Sequence, residues 1–304
     1  MRPPGWAALA LALCATSAQG QPARPAAARP ATAAVRPTPA AAAPASTAAD
    51  VAKWRACLAR FDAIGLPSLR SDQVMADQFN RVICRSGYAL SFDSRTLNPS
   101  WVAEYLTPAV LKGAASRRDN FAADPVLGAA SPTPDDYTNS GFDRGHQAPA
   151  ADARFDQRVM NESFYMSNMS PQVGIGFNRG QWKYLEEAVR AWVMCGGHEK
   201  VIVMTGPIFD GPVKTLANRP VQIPVAYFKI VYDVDAGRAV GFRLNNERHK
   251  KTPLHNFVVP ISEIEDDTGI DFFPSLPRRR QNQLETPKGI VWGHDQGCAT
   301  VAEN

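Results

Sequence analysis

The sequence lacks any apolar run long enough to span a membrane, and its longest apolar stretch lies at the N-terminus. There, Arg2 precedes the run "WAALALALCA", and the small-residue stretch "SAQG" follows it. This order is typical of a cleavable export signal over residues 1–20, cut after Gly20. The run is too short for a transmembrane helix. The sequence therefore predicts a periplasmic or secreted protein with no membrane insertion.

Cysteine is also scarce, and no two cysteines form a CxxC pair. Four cysteines follow the N-terminal segment: Cys57, Cys84, Cys195 and Cys298. The absence of closely spaced Cys ligands argues against a structural zinc site. An even number of cysteines in an exported protein favours two disulfides, and the sequence leaves all three pairings open.

The chain has little excess charge, although its sequence pI is about 8.8. The first fifty residues contain four arginines and one aspartate, which leaves 29 basic and 28 acidic side chains. General attraction to polyanions is therefore not indicated, and any basic surface must be local, as at Arg117 and Arg118. Residues 21–50 are mostly Ala, Pro, Thr and Arg, and this composition predicts a disordered linker. Residues 51–304 remain for a single domain.

Strand patterns outnumber helix patterns in this domain. "YALSFD", "PSWVAEYLT" and "KVIVMTGPIF" read as strands, and "AYFKIVYDV" with "AVGFRLNN" reads as a hairpin. The clearest helix is expected over residues 178–194, with Asn178 as its N-cap. A loose helical pattern extends over residues 51–82. "SEIEDDTGI" predicts another helix with a capping box between Ser262 and Glu265. This mixture favours an α+β domain around a largely antiparallel sheet.

Three short segments carry polar groups suited to catalysis. In "DRGH", His146 titrates near neutrality, Arg144 can bind phosphate oxygens, and a glycine between them allows close backbone approach. In the long helix, Glu186 and Arg190 lie on the edge of the apolar face. Taken alone, these features equally fit a structural histidine and an ordinary i,i+4 ion pair. "SNMSPQ", which contains Asn168, alone reads as a turn.

Together, the segments resemble the DNA/RNA non-specific endonucleases. This ββα-metal (His-Me finger) nuclease family includes the secreted Serratia-type nuclease and mitochondrial endonuclease G. The matching segments occur in the family's order over about residues 84–277: "GYALSFD", "PSWVAEYLT", "RRDNFAADP", "DRGHQAPAAD", "SNMSPQ" and "NRGQWKYLEEAVR". The resemblance implies a ββα-metal nuclease fold, with a largely antiparallel central sheet flanked by helices.

The resemblance also implies a role for individual residues. His146 matches the general base that activates water, and Asn178 matches the direct protein ligand of a magnesium ion. Glu186 matches a carboxylate that acts on the metal site without ligating the ion. The remaining matched positions are cationic groups near the phosphate and a polar group that helps to order the site. Arg144 and Arg190 are assigned to catalysis with His146 and Glu186, and Arg117 and Asn168 are assigned to substrate binding.

The expected activity is metal-dependent hydrolysis of DNA and RNA phosphodiesters, without sequence or sugar preference. Mg²⁺ is the expected cofactor, and Mn²⁺ stays open because an asparagine and waters discriminate poorly between metals. Homodimerisation and an inhibitor protein are left open as further partners. Two alternatives remain at this point: a phosphodiesterase of small molecules, and an exported nucleic-acid-binding protein without catalysis.

Overall fold

The computed structural model of the chain describes residues 48–70 and 79–293. The helices in these ranges are α1 (Ala48–Ala59), α2 (Pro108–Leu111), α3 (Gln157–Glu162), α4 (Lys183–Cys195), α5 (Ile261–Thr268) and α6 (Arg278–Glu285). The strands are β1 (Ser68–Leu69), β2 (Asn80–Cys84), β3 (Tyr88–Asp93), β4 (Asn98–Leu106), β5 (Phe142–His146), β6 (Met169–Val173), β7 (Val201–Ile208), β8 (Ala226–Asp233), β9 (Arg238–Asn245), β10 (Val258–Val259) and β11 (Ile270–Asp271).

A seven-stranded antiparallel sheet forms the centre of the fold, in the order β10-β9-β8-β7-β4-β3-β2. The central strands β7 and β8 are buried at every position. Such continuous burial requires cover on both faces of the sheet, which explains why both strands read as unbroken apolar runs in the sequence.

Each face of the sheet packs against a different set of helices. Successive side chains of a strand point to opposite faces. Phe228 and Ile230 of β8 therefore join a core shared with α1, α5 and α6, whereas Tyr227 and Val231 join a core shared with α4. The predicted α+β class, with a largely antiparallel sheet flanked by helices, is confirmed.

A smaller ββα unit lies on the α4 side of the sheet. Strands β5 and β6 pair antiparallel, an irregular segment of residues 174–182 follows, and α4 completes the unit. Ser170 of β6 fastens the unit to the sheet, because its hydroxyl donates to Asn98 Oδ1 at 2.6 Å and lies 2.8 Å from the Tyr227 hydroxyl. This anchoring fixes the position of β5 and of the residues at its end.

Two predicted helix starts are wrong. Helix α4 begins at Lys183 rather than at Asn178, because Arg179 (φ −92°, ψ 27°) and Gly180 (φ −148°, ψ −107°) interrupt the helical path. The capping box is also absent, since α5 already begins at Ile261 after Pro260. Glu265 is instead buried inside the helix, and its carboxylate accepts a hydrogen bond from the Phe272 backbone N–H.

The N-terminal region of the domain is less helical than its pattern predicts. Helix α1 ends at Ala59, and the short strand β1 and the longer β2 follow it within the expected helical range. Cys57 of α1 and Cys84 of β2 form a disulfide, and Cys195 is also disulfide-bonded. The Cys57–Cys84 disulfide ties α1 to the edge of the sheet. Cys298 lies outside the described residues.

The described residues all belong to one compact unit. The predicted signal peptide, residues 1–20, and most of the predicted linker lie outside the described residues. Helix α1 starts at Ala48, so the last three residues of the predicted linker belong to a helix. The division into segments otherwise stays a prediction. Within the described ranges, no helix combines the length and the apolar character that crossing a membrane requires.

Candidate active site

A cavity of about 340 Å³ opens where β5, the irregular segment and α4 meet. Five of the predicted site residues line it, together with two further cations: Arg117, Arg144, His146, Asn178, Glu186, Arg179 and Lys183. The residues come from three separate stretches of the chain. The ββα unit therefore brings most of the predicted site together around one space.

His146, the last residue of β5, is half-buried between two aromatic rings. Its imidazole meets Phe164 edge-on at 4.9 Å and lies 5.7 Å from the ring of Phe121. Burial, followed by the positive charge of Arg117, lowers the pKa of His146 to about 3. The imidazole is therefore neutral at physiological pH and can accept a proton.

The Nε2 atom of His146 is buried and has no hydrogen-bond partner among the described residues. A buried polar atom without a partner costs free energy, and active-site groups awaiting a water or substrate are a common reason for it. The imidazole lines the cavity, so the ring is placed to receive a proton from a bound water.

Asn178 is held by the carboxylate of Asp143 on β5. Its Nδ2 donates to Asp143 Oδ2 at 2.9 Å, and Arg179 Nε lies 3.0 Å from the same oxygen. Because a carboxylate only accepts, it fixes which end of the amide faces it. The amide oxygen of Asn178 is therefore the end available to a ligand. Asn178 does not cap α4; its amide instead joins the irregular segment to β5.

Gly174 makes room for this arrangement. A Cβ at Gly174 would lie 2.8 Å from Asp143 Oδ1, too close for the carboxylate to keep its place. Gly145 in "DRGH" acts in a similar way, because a Cβ there would overlap the side chain of Gln172 on β6. Glycine is therefore needed at position 145 for the packing of β5 against β6. The sequence had suggested a different reason, close approach of the backbone to a ligand.

Glu186 faces the cavity from α4, and Arg190 lies one turn further along, behind it. Arg190 is 2% exposed, and its Nη1 donates to Asp152 Oδ1 at 3.0 Å. Arg190 is therefore absent from the cavity lining, although the sequence places it near the phosphate. Its position suits an indirect contribution, through the buried charges around Glu186.

Sequence reasoning missed two charged residues beneath Glu186. Lys229 of β8 and Glu104 of β4 are both buried on the α4 face of the sheet. Burial lowers the pKa of Lys229, and the negative charges of Glu186 and Glu104 oppose this effect. Burial and the charge of Asp152 raise the pKa of Glu104 well above its usual range. A signal was present, because a lysine inside the apolar run "AYFKIVYDV" requires buried partners.

Arg144 and Arg117 flank His146, and each guanidinium rests on an aromatic ring. Arg144 Nη2 donates to the Pro134 carbonyl at 2.8 Å, and its guanidinium carbon lies 5.2 Å from the ring of Phe121. Arg117 lies 5.4 Å from the ring of Phe164. Arg117 Nε also pairs with Asp119 Oδ1 at 3.0 Å, and these contacts hold both guanidinium groups at the cavity.

Asn168 was assigned to substrate binding from the sequence, but it lies outside the cavity lining. It is fully buried and makes three hydrogen bonds to the backbone. Its Oδ1 accepts from Ala148 N at 2.9 Å, and its Nδ2 donates to Ala148 O at 2.9 Å and to Ser163 O at 2.8 Å. Asn168 therefore fixes the chain immediately after His146 and has no access to a substrate.

Comparison with known proteins supports a common origin for this arrangement. A sequence profile of the DNA/RNA non-specific endonucleases matches residues 69–279. "Nuclease 1, mitochondrial" of Schizosaccharomyces pombe is 34% identical over 246 residues, which is 74% of this chain and 73% of that protein. "Endonuclease G, mitochondrial" of Homo sapiens is 34% identical over 238 residues, covering 73% and 75% respectively.

The fold is similar to that in a crystal structure of the EndoG/EndoGI complex. The two superpose with a TM-score of 0.64 at 28% sequence identity, over 78% of this chain and 97% of the other. The shared region includes most of the described residues.

The predicted periplasmic or secreted location is wrong. The relatives from Schizosaccharomyces pombe, Saccharomyces cerevisiae, Homo sapiens and Bos taurus are all named as mitochondrial, which points away from export. The error came from the N-terminal apolar run.

Proposed function

The chain belongs to the DNA/RNA non-specific endonuclease family and is a nucleic-acid phosphodiester hydrolase, and we propose that hydrolysis takes place in the cavity around His146. One observation carries the proposal. A neutral imidazole with an unpartnered nitrogen shares a small cavity with an amide, a carboxylate and two arginines. General base, metal ligand and phosphate-binding cations are the groups that phosphodiester hydrolysis requires.

The family is metal-dependent, and the residues at the cavity fit a divalent ion. The Asn178 amide oxygen is directed by Asp143, and Glu186 lies in the same lining. One oxygen ligand in a cavity with room for water suits Mg²⁺, which gives up its hydration shell reluctantly. We assign Asn178 as the ligand of Mg²⁺, with Mn²⁺ as a substitute, and Glu186 as a hydrogen-bonding group around it. The bound ion supplies positive charge against the phosphate oxygens.

The protein groups divide the remaining work between them. The imidazole of His146 removes a proton from the attacking water, a step worth about 10²–10⁴-fold from a well-placed base. Arg144 and Arg117 face the growing negative charge on the phosphate from either side of His146. Phe164 and Phe121 keep the imidazole in place while it carries the proton. Attack of the water on phosphorus breaks the bond to the 3′-oxygen, which takes up a proton from solvent and leaves as a 3′-hydroxyl, so the other product carries a 5′-phosphate.

Recognition follows from the same cations. Arg179 and Lys183 extend the positive rim of the cavity beyond the two arginines at its centre. Contacts to phosphates carry no sequence information, and attack by water makes no use of the 2′-hydroxyl. DNA and RNA are therefore both substrates, and binding weakens steeply as salt rises.

Two partner proposals follow more indirectly from the relatives. The solved relative forms a complex with EndoGI, in which EndoG is inhibited. We propose an inhibitor of the same kind for this chain, bound against the irregular segment of residues 174–182, where Ile175 is 65% exposed. A homodimer is the second proposal, and light scattering on the purified protein tests it.

A gel assay tests the proposed function. Plasmid DNA, single-stranded DNA and RNA are each incubated with the protein, with magnesium or with excess chelator. His146→Ala is the test variant, and Asn256→Ala, at an exposed position away from the cavity, is the matched control. Metal-dependent loss of all three substrates, absent only in His146→Ala, is expected. Intact polymers in every lane would contradict the proposal. The remaining functions would then be nucleic-acid binding without catalysis, or hydrolysis of small phosphodiesters.

A further inference from the structure

Three carboxyl groups meet on the face of the sheet that lies away from the cavity. Glu265 of α5, Asp271 of β11 and Glu285 of α6 each place one oxygen within 4.8 Å of the others. Glu265 is 5% exposed and Glu285 is 3% exposed, while Asp271 is half-buried. Like charges packed so closely require compensation, either by a proton or by a cation.

The hydrogen bonds within the protein do not satisfy this cluster. Glu265 Oε1 accepts from Phe272 N at 3.1 Å, and Asp271 Oδ1 accepts from Phe273 N at 2.9 Å. Glu285 Oε1 is buried and has no hydrogen-bond partner among the described residues. A carboxylate oxygen that is taken out of water without a partner is costly, so this oxygen calls for a ligand.

The charges around the cluster are unbalanced. Burial raises the pKa of Glu265 to about 7, and the charges of Glu285 and Asp271 add to this effect. Burial also raises the pKa of Glu285. Arg70 and Arg278 oppose these shifts without cancelling them. Burial and the neighbouring carboxylates therefore oppose ionisation of both glutamates, and either a proton or a bound cation relieves this.

We propose that Glu265, Asp271 and Glu285 bind one divalent cation of the size of Ca²⁺. Calcium takes oxygen ligands at about 2.3–2.6 Å, so two of its ligands can lie up to about 5 Å apart, whereas Mg²⁺ at about 2.0–2.1 Å needs a tighter set. The three oxygens lie within 4.8 Å of one another, a separation that one such ion can bridge. Mg²⁺ keeps most of its waters and usually takes only one or two carboxylates, so a set of three carboxylates suits Ca²⁺ better. Half-buried Asp271 gives the ion and its waters a route to solvent, and the bound ion ties α6 to α5 and β11.

Thermal unfolding with added calcium chloride, in chelator-treated buffer, tests this site. At about a hundredfold excess over Kd, binding to the folded state alone raises the Tm by roughly 5–10 °C for a domain of this size. The rise is expected to be larger at pH 8 than at pH 5, because protons compete for the same carboxylates. Calorimetric titration at pH 8 gives the number of ions bound.

Three variants separate this site from the proposed active site. Glu285→Gln is expected to abolish the calcium-dependent rise in Tm while the protein stays folded, because it removes charge without removing volume. Asn178→Ala is expected to keep the rise in full. Glu263→Gln, an exposed carboxyl on the same helix α5, is the matched control and keeps it too. No rise in the wild type, or a rise lost in Asn178→Ala and kept in Glu285→Gln, overturns the proposal.

Discussion

Replacing Asn168 by alanine separates a structural role from substrate binding. The side chain is fully buried, and its three hydrogen bonds all go to backbone groups of Ala148 and Ser163. The change leaves these three backbone groups without their partner. A buried polar group left unsatisfied costs about 1–3 kcal/mol, so the expected loss is roughly 3–5 kcal/mol even if water relieves part of it. That is a large share of the ~5–15 kcal/mol that keeps a domain folded.

Urea unfolding followed by tryptophan fluorescence measures this loss, with Asn256→Ala as the control at an exposed position. We expect Asn168→Ala to lower the free energy of unfolding by at least 3 kcal/mol, on the estimate above. Because Ala148 follows His146 by two residues, kcat should also fall, with less effect on KM. A variant of wild-type stability whose KM alone rises would refute the reasoning and restore Asn168 to substrate binding.

Three further predictions follow from the site and its support. Because the pKa of His146 is lowered to about 3, the base stays neutral on acidification, and kcat/KM should not fall with an apparent pKa near 6.5. The imidazole binds a proton more readily in the unfolded chain, so the free energy of unfolding should decrease as pH falls from about 6.5 towards 3. A pH profile of stability that is the same for the wild type and for His146→Gln would contradict this. Gly174→Ala should raise the metal concentration for half-maximal activity about 10- to 100-fold, whereas Gly293→Ala, where a Cβ meets open space, should not. Replacing Cys57 and Cys84 by serine should lower the free energy of unfolding by about 2–4 kcal/mol, and an unchanged urea midpoint would exclude a stabilising disulfide.

The strands were the part of the fold that the sequence predicted best. The hairpin of β8 and β9 and the strand β3 lie where the apolar patterns placed them. Each carries a period of two, or an unbroken apolar run, that only a covered strand explains. The patterns are strong because both faces of the sheet are buried, and buried strand positions accept mainly apolar residues.

Helix starts were predicted poorly, because local signals compete with tertiary contacts. Asn178 reads as an N-cap, yet its amide binds Asp143 in a different strand. Ser262 and Glu265 read as a capping box, yet Glu265 is recruited into a buried carboxylate cluster. In both places, a polar side chain that could form a hydrogen bond with the nearby backbone instead interacts with residues distant in the sequence. A local sequence pattern cannot predict such a contact.

The candidate site was predicted mainly through the family resemblance. The structure brings His146, Asn178 and Glu186 to one cavity, in keeping with that resemblance. It places Arg190 and Asn168 behind the lining, which residue type alone could not indicate. Depth from the surface depends on how α4 packs on the sheet, and this packing is a property of the whole fold.

Chemical rescue of a His146→Gly variant tests the central claim most directly. The variant removes the imidazole and leaves a space beside Phe164 and Phe121 that free imidazole can enter. We predict that kcat/KM on DNA falls by about 10²–10⁴-fold, and that added imidazole restores activity as its neutral fraction increases. Metal affinity and DNA binding should stay at wild-type values. A variant that keeps cleavage within about tenfold of the wild type, well short of that loss, would contradict the assignment of His146 as the general base.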